Sequence, residues 1–201
     1  MLKFRRTFLV FLFLASSTVG FSQRPAEVPE GFSFEKPTNW FEGDIAVRAA
    51  NLKRFTFDRD DMAKLLANEK SSGIVAIFYK DDPKRTPGII PTIQVILRPK
   101  SAKMSFDQFK GAVSNPKPFE AFEDFAFSGA ATAIDISGVR SVLLNATFKL
   151  RREDRVYSIR SRTYAIPRTD YFIQISMSDE DDEGWTEKEF ADFISSVRIS
   201  N

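Results

Sequence analysis

The chain has 201 residues, with 29 basic and 27 acidic side chains, no cysteine and no histidine. Without cysteine and histidine it can form neither disulfide bonds nor Ser-His-Asp and Cys-His nucleophiles, and zinc, copper, haem and iron-sulfur centres lack their usual ligands. The composition therefore excludes several large enzyme classes, and we expect no cofactor.

The first 22 residues have the three parts of a secretory signal. A start with three basic side chains precedes an apolar run from Thr7 to Ala15, and small residues follow the run. The run is shorter than the roughly 20 apolar residues that span a bilayer, so an uncleaved anchor is the weaker alternative. We place cleavage before Gln23. Since no cysteine follows the run, the sequence predicts an exported protein, periplasmic or secreted, that is soluble and not a lipoprotein.

Loss of the signal changes the charge balance of the chain. Lys3, Arg5 and Arg6 leave with it, so 26 basic residues face 27 acidic ones in the mature protein. A nearly neutral protein lacks the positive field expected of a nucleic-acid binder, and we expect no nucleic-acid partner. Residues 23–31 contain two prolines and no apolar period, which indicates a flexible tether. Residues 32–201 are long enough for a single domain with its own core.

Three helices are indicated in the folded part. Asp58–Lys70 begins with aspartates and places apolar side chains on one face. Capping boxes begin the other two helices, Ser105 with Gln108 and Thr186 with Glu189. An apolar stripe along the last helix predicts that it docks on the core.

Two segments near the start of the domain are less clear. Phe32 and Phe34 stand two apart, as on one face of a strand that Pro37 ends. Asp44–Phe57 is ambiguous between strand and helix, and we interpret its end, Lys53–Phe57, as a strand because its apolar residues alternate.

Six strands complete the pattern. They begin at Gly73, Pro91, Ala131, Ser141, Val156 and Tyr171. The last four follow one another without a helix, which is typical of an antiparallel meander. The strand that begins at Gly73 has no polar face, which predicts cover on both sides. We therefore expect an α+β fold with a central antiparallel sheet of about six strands flanked by helices, an α/β/α sandwich.

The order of these pieces resembles a known group. The opening "FSFEKPTNW" from Phe32, the helix start "SFDQF" from Ser105, and the closing stretches "YAIPRTDYFIQIS" from Tyr164 and "EFADFISSVRI" from Glu189 are similar to the PsbP/DcrB-like superfamily. That superfamily also includes the Ran-binding Mog-type proteins. The resemblance covers roughly Phe32 to Ile199. It implies a central antiparallel sheet between helices and a non-enzymatic role in binding or assembly, and it carries over no catalytic residue.

The predicted hairpin Ser158–Ser178, two alternating runs around a Pro-Arg-Thr-Asp turn, carries the first candidate site. Arg160 and Arg162 fall on one side of its first strand with Tyr164, and further arginines, among them Arg151 and Arg168, lie in the turns at either end of that strand. This row is either a solvated face or a basic groove for an acidic partner, since arginine forks suit carboxylates.

Two other features have a similar double interpretation. Trp40 either buries its ring under a loop or stays exposed as an anchor for a partner. The stretch Asp81–Pro91, "DDPKRTPGIIP", has the prolines and charges of an exposed connection, and we include it in the predicted contact surface.

The carboxylates give weaker candidates. The acidic loop 179–183 fits the start of a calcium loop if Asp179 is position one, but Phe190 then stands at position twelve, where a glutamate is required. A solvated loop before the last helix is the alternative. Asp124 and Asp135 lie in apolar sequence surroundings and are candidates for a hydrolytic pair.

The sequence predicts an exported binding or assembly factor that acts through protein-protein contacts and catalyses no reaction. Its expected partner is an envelope or extracellular protein with an acidic surface. The alternatives are a carrier of a small apolar ligand, held in a pocket between sheet and helix, and a carboxylate-based hydrolase.

Overall fold

The structure, a computed structural model, describes residues 28–57, Asp60, 73–181 and 186–200. The described strands are β1 (Phe32–Ser33), β2 (Phe41–Gly43), β3 (Gly73–Tyr79), β4 (Thr92–Pro99), β5 (Glu123–Phe127), β6 (Thr132–Ile136), β7 (Val139–Arg152), β8 (Arg155–Pro167), β9 (Tyr171–Glu180) and β10 (Arg198–Ile199). The described helices are α1 (Ile45–Leu52), α2 (Phe106–Val113) and α3 (Glu187–Ser196), and a short 3-10 helix spans Lys117–Phe119. The predicted signal, most of the predicted tether and all of the predicted helix Asp58–Lys70 except Asp60 lie outside the described residues.

Eight of the described strands form one open antiparallel sheet. Their order is β2-β3-β4-β9-β8-β7-β5, and β6 pairs with the same strand as β5, namely β7. The predicted meander is confirmed, because β6, β7, β8 and β9 pair in succession. A separate pair of short strands, β1 and β10, brings the two ends of the domain together.

The sheet has more strands than the six expected, and the additions lie at its edges. β2 has three residues, and β5 is interrupted by a register shift between Glu123 and Ala126. Asp124, inside that shift, has a positive φ of 55°. Strands this short or this irregular show no regular alternation in the sequence, which is why the pattern did not predict them.

Helices cover both faces of the sheet, which confirms the α/β/α sandwich. On one face, Phe190 and Phe193 of α3 are buried against β3, β4, β8 and β9. On the other face, α1 packs on β3 and β4, and Phe109 of α2 packs on Val142 and Ala165. We call these the α3 face and the α1/α2 face.

β3 shows why a strand without a polar face belongs in the middle of such a fold. Val75 and Phe78 enter the core under α3, whereas Ile74 and Ile77 enter the core under α1. The predicted cover on both sides of this strand is confirmed.

The interpretation of Lys53–Phe57 as a strand was wrong. The first part of the ambiguous segment is a helix: the Asp44 carboxylate accepts a hydrogen bond from the Val47 N–H at 2.7 Å and caps α1, which ends at Leu52. After the helix, only Thr56 makes an isolated bridge, to Arg151 of β7.

The two predicted capping boxes differ in outcome. At α2, the Ser105 hydroxyl accepts from the Gln108 N–H and the Gln108 side chain accepts from the Ser105 N–H, as predicted. At α3, Thr186 occupies the cap position but its side chain makes no cap hydrogen bond. The predicted box there was wrong because the Thr186 backbone is helical (φ −91°, ψ −3°) and not extended as at Ser105, and its hydroxyl donates to Asp179 instead.

Within the part of the chain described, we find no helix that combines the length and the hydropathy needed to cross a membrane.

Candidate functional site

The arginine row of β8 lies on the α3 face of the sheet. Residues that pair across antiparallel strands share a face, and Arg160 is paired with Asp179 of β9 while Arg162 is paired with Met177. Tyr164 follows on the same face, where it is buried in the core under α3. The row therefore runs from the hairpin end of the sheet toward the packed core.

Arg160 is held by a buried carboxylate. Its Nε donates to Asp179 Oδ1 at 2.5 Å and its Nη2 donates to Asp179 Oδ2 at 2.7 Å, a bidentate pair. The Asp179 side chain is only 3% exposed, and the hydroxyl of Thr186, just before α3, also donates to it. This hydrogen bond with Asp179 raises the pKa of Arg160 against the opposing effect of burial. Asp179 thus joins β8, β9 and the start of α3.

Arg162 makes a second bidentate pair, with the first turn of α3. Its Nη1 and Nη2 donate to the two carboxylate oxygens of Glu187 at 2.9 and 3.0 Å. The hydrogen bond from Arg162 lowers the pKa of Glu187, although partial burial acts in the opposite direction. The same bond raises the pKa of Arg162.

A third ion pair links α3 to the end of β3. Lys80, just after β3, donates its Nζ to Glu189 Oε1 at 2.6 Å. Burial raises the pKa of Glu189, but the hydrogen bond and the charge of Lys80 outweigh it, so the net shift is downward. We call the six residues of these three pairs the α3 clamp: Lys80, Arg160, Arg162, Asp179, Glu187 and Glu189.

The α3 clamp bears directly on the two interpretations of the arginine row. The guanidinium groups point at carboxylates of the same chain, and the two arginine side chains are 24% and 31% exposed. An acidic partner would have to compete with Asp179 and Glu187 for them. Partner binding at Arg160 and Arg162 stays a prediction, and it would require this competition.

The other predicted site residues are spread over the fold. Trp40 is 5% exposed and its ring lies 6.2 Å from that of Phe190, so the exposed-anchor alternative for Trp40 was wrong. Tyr164 is buried as well, and burial is the main cause that raises its pKa. Arg151 pairs with Glu123 at 2.9 Å, and Arg168 donates to the Ser200 carbonyl at 3.2 Å. The structure does not gather these residues into one surface.

Sequence reasoning missed the carboxylate partners of the arginines. Asp179 continues the inward positions of β9 after Ile173, Ile175 and Met177, so an acid at that place in the alternation was a signal for a buried ion pair. Glu187 carries no such signal in the sequence, because its pairing depends on where α3 packs on the sheet.

Asp179, the first residue of the predicted acidic loop 179–183, lies in β9 and is not available for calcium. Arg160 and Thr186 occupy both oxygens of the carboxylate that would be position one. Residues 182–185 lie outside the described residues. Among the residues that are described, we find no group of three or more carboxylates that could hold a metal ion.

The two aspartates considered for hydrolysis are surface groups. Asp124 pairs with Lys149 at 2.7 Å, and its side chain is 64% exposed. Asp135 accepts a hydrogen bond from the Gly138 N–H at 2.8 Å and shapes the turn between β6 and β7. The expectation that these two aspartates lie in apolar surroundings is therefore wrong. Asp135 has a structural role, in the turn between β6 and β7.

The connection Asp81–Pro91 borders a cleft on the α1/α2 face. Arg54 donates to the carbonyl oxygens of Pro83 and Thr86 at 3.3 and 2.9 Å, which fastens the connection to the end of α1. The cleft between them has a volume of about 100 Å³, and its floor includes Phe148, Leu150 and Ile159. We call it the α1 cleft.

A second cleft of about 280 Å³ lies near the tip of the β7–β8 hairpin. Its lining is more polar, and it includes Glu123, Arg151 and Lys149. Because Glu123 pairs with Arg151 and Lys149 pairs with Asp124, these charges are matched within the chain.

Comparisons with known proteins show similarity at the level of the fold. The crystal structure of LpqN, a protein involved in cell envelope biogenesis of Mycobacterium tuberculosis, matches with a TM-score of 0.50 and 16% identity over 85% of this chain and 83% of LpqN. PA94, a protein of unknown function from Pseudomonas aeruginosa, matches with a TM-score of 0.50 and 15% identity over 62% of this chain and 82% of PA94. The solution structure of cyanobacterial PsbP from Synechocystis sp. PCC 6803 has a TM-score of 0.49 and 14% identity over 87% of this chain and 90% of its own.

No family model matches the chain, and no curated protein matches it. Together with the layer order described above, the similarities to LpqN and PA94 support the fold that the sequence predicted, a central antiparallel sheet flanked by helices.

Proposed function

We propose that this chain is an exported binding or assembly factor that acts through protein-protein contacts and catalyses no reaction. One observation carries the proposal: the core on the α3 face is filled by interlocked aromatic rings. Phe34 lies 5.5 Å from Phe32, 6.1 Å from Phe78 and 5.5 Å from Phe193, centroid to centroid. A core packed in this way leaves function to the surface.

The envelope setting has a separate source of support. LpqN, which shares the fold, is described as involved in cell envelope biogenesis. An accessory role in the envelope fits the secretory signal predicted for residues 1–22. We carry over the setting only and assign no partner from LpqN.

The carrier alternative is less favoured by the geometry. A pocket for a small apolar ligand measures roughly 300–1,000 Å³. The α1 cleft, at about 100 Å³, falls well below that range, and the cleft of about 280 Å³ near the tip of the β7–β8 hairpin has a mainly polar lining. A hydrolase would need two acids in one cleft, and Asp124 and Asp135 are instead an exposed ion-pair partner and a turn residue.

The proposed contact surface combines the arginine-bearing hairpin with the connection Asp81–Pro91. The connection is the more accessible part, because Arg85 within it has an 88% exposed side chain. Arg160 and Arg162 would join the contact only if the partner displaced carboxylates of the α3 clamp.

The test is a cross-linking pull-down with the mature protein, residues 23–201, immobilised and exposed to envelope extract of the native host. We expect one protein to be captured saturably and released by excess free mature protein, with cross-linked peptides that map its contacts. Native mass spectrometry of the purified protein runs beside it. If capture is not competed by free protein, or if the purified protein carries an apolar small molecule instead, the proposed function is wrong.

A further inference from the structure

We draw no further inference here: the strongest candidate, the cluster of half-buried phenylalanine rings around Phe122 and Phe125 where β5 pairs with β7, is an apolar face, and nothing in the described part of the chain shows what covers it.

Discussion

Arg160 of β8 and Asp179 of β9 lie opposite each other in the sheet and form a bidentate ion pair beneath the start of α3. Asp179 also accepts the hydroxyl of Thr186, so one carboxylate connects two strands and a helix. This ion pair matters for the stability of the fold, because removal of either partner leaves a charge with little access to water.

The α3 clamp makes the stability of the protein depend on pH, with a loss of stability in acid. The pKa of Glu187 and that of Glu189 are both lowered from the ordinary value of 4.5. A lowered pKa stabilises the folded state fully above the unfolded value, and this contribution is lost as the pH falls through the folded value. We expect the urea midpoint to hold between pH 7 and 5 and to fall below pH 4.5. Glu187→Gln should lower the midpoint at pH 7 and make its acid decline shallower, and parallel declines in the two proteins would contradict this.

Ser105 and Thr186, at the cap positions of α2 and α3, should differ in how much stability is lost when the hydroxyl is removed. Ser105→Ala removes an ordinary N-cap of α2, and we expect a cost of about 1 kcal/mol. Thr186→Val removes a donor from a buried carboxylate, and we expect the larger cost, roughly 1.5–3 kcal/mol. Urea unfolding at pH 7 measures both. A Thr186→Val variant as stable as the wild type would show that the hydroxyl does not support Asp179.

Gly43 of β2 is a site where a single methyl group should matter. A Cβ at this position would lie 2.2 Å from Cε2 of Tyr79, whose ring is buried. We expect Gly43→Ala to cost roughly 1–3 kcal/mol by overpacking. The matched control is Gly111→Ala in α2, where nothing lies within 4 Å of the added carbon, and there alanine should stabilise by about 0.5–1 kcal/mol. Equal thermal midpoints for the two variants would contradict the predicted contact.

Arg160 and Arg162 should contribute differently to the free energy of unfolding. Arg162 and Glu187 are both partly exposed, with side chains 31% and 48% accessible. Arg162→Met should therefore cost no more than about 1 kcal/mol, as exposed pairs do. Arg160→Met should cost about 3 kcal/mol, because it leaves Asp179 buried and unpaired. Chemical unfolding of the two variants measures the difference, and a larger loss at Arg162 would contradict the assigned roles.

Much of the fold could be predicted from local pattern. Alternation over long strands such as β7 and β8 gave the meander, and the Ser105 box gave α2, because both signals lie within a few residues of the chain. The α1 helix escaped because the alternating Phe55 and Phe57 suggested a strand. Their rings instead make edge contacts with Tyr157 and Phe122, 6.2 and 6.0 Å between centroids.

The candidate site was less predictable because it is built from non-local contacts. The alternation of β8 correctly put Arg160 and Arg162 on one side. It could not tell that Asp179 pairs across the sheet or that Glu187 arrives from a helix 25 residues after Arg162. The α1 cleft joins a helix, a loop and five strands of the sheet, so no single stretch of sequence predicts it.

The central claim is that Arg160 and Asp179 hold α3 on the sheet, and a double-mutant cycle tests it most directly. Arg160→Met, Asp179→Leu and the double variant are unfolded in urea at pH 7, and amide hydrogen exchange is followed in α3. We predict that each single variant loses about 3 kcal/mol, that α3 amides lose protection first, and that the double variant recovers most of the loss. Single variants within about 0.5 kcal/mol of the wild type, with α3 still protected, would contradict the claim and return Arg160 to the partner surface.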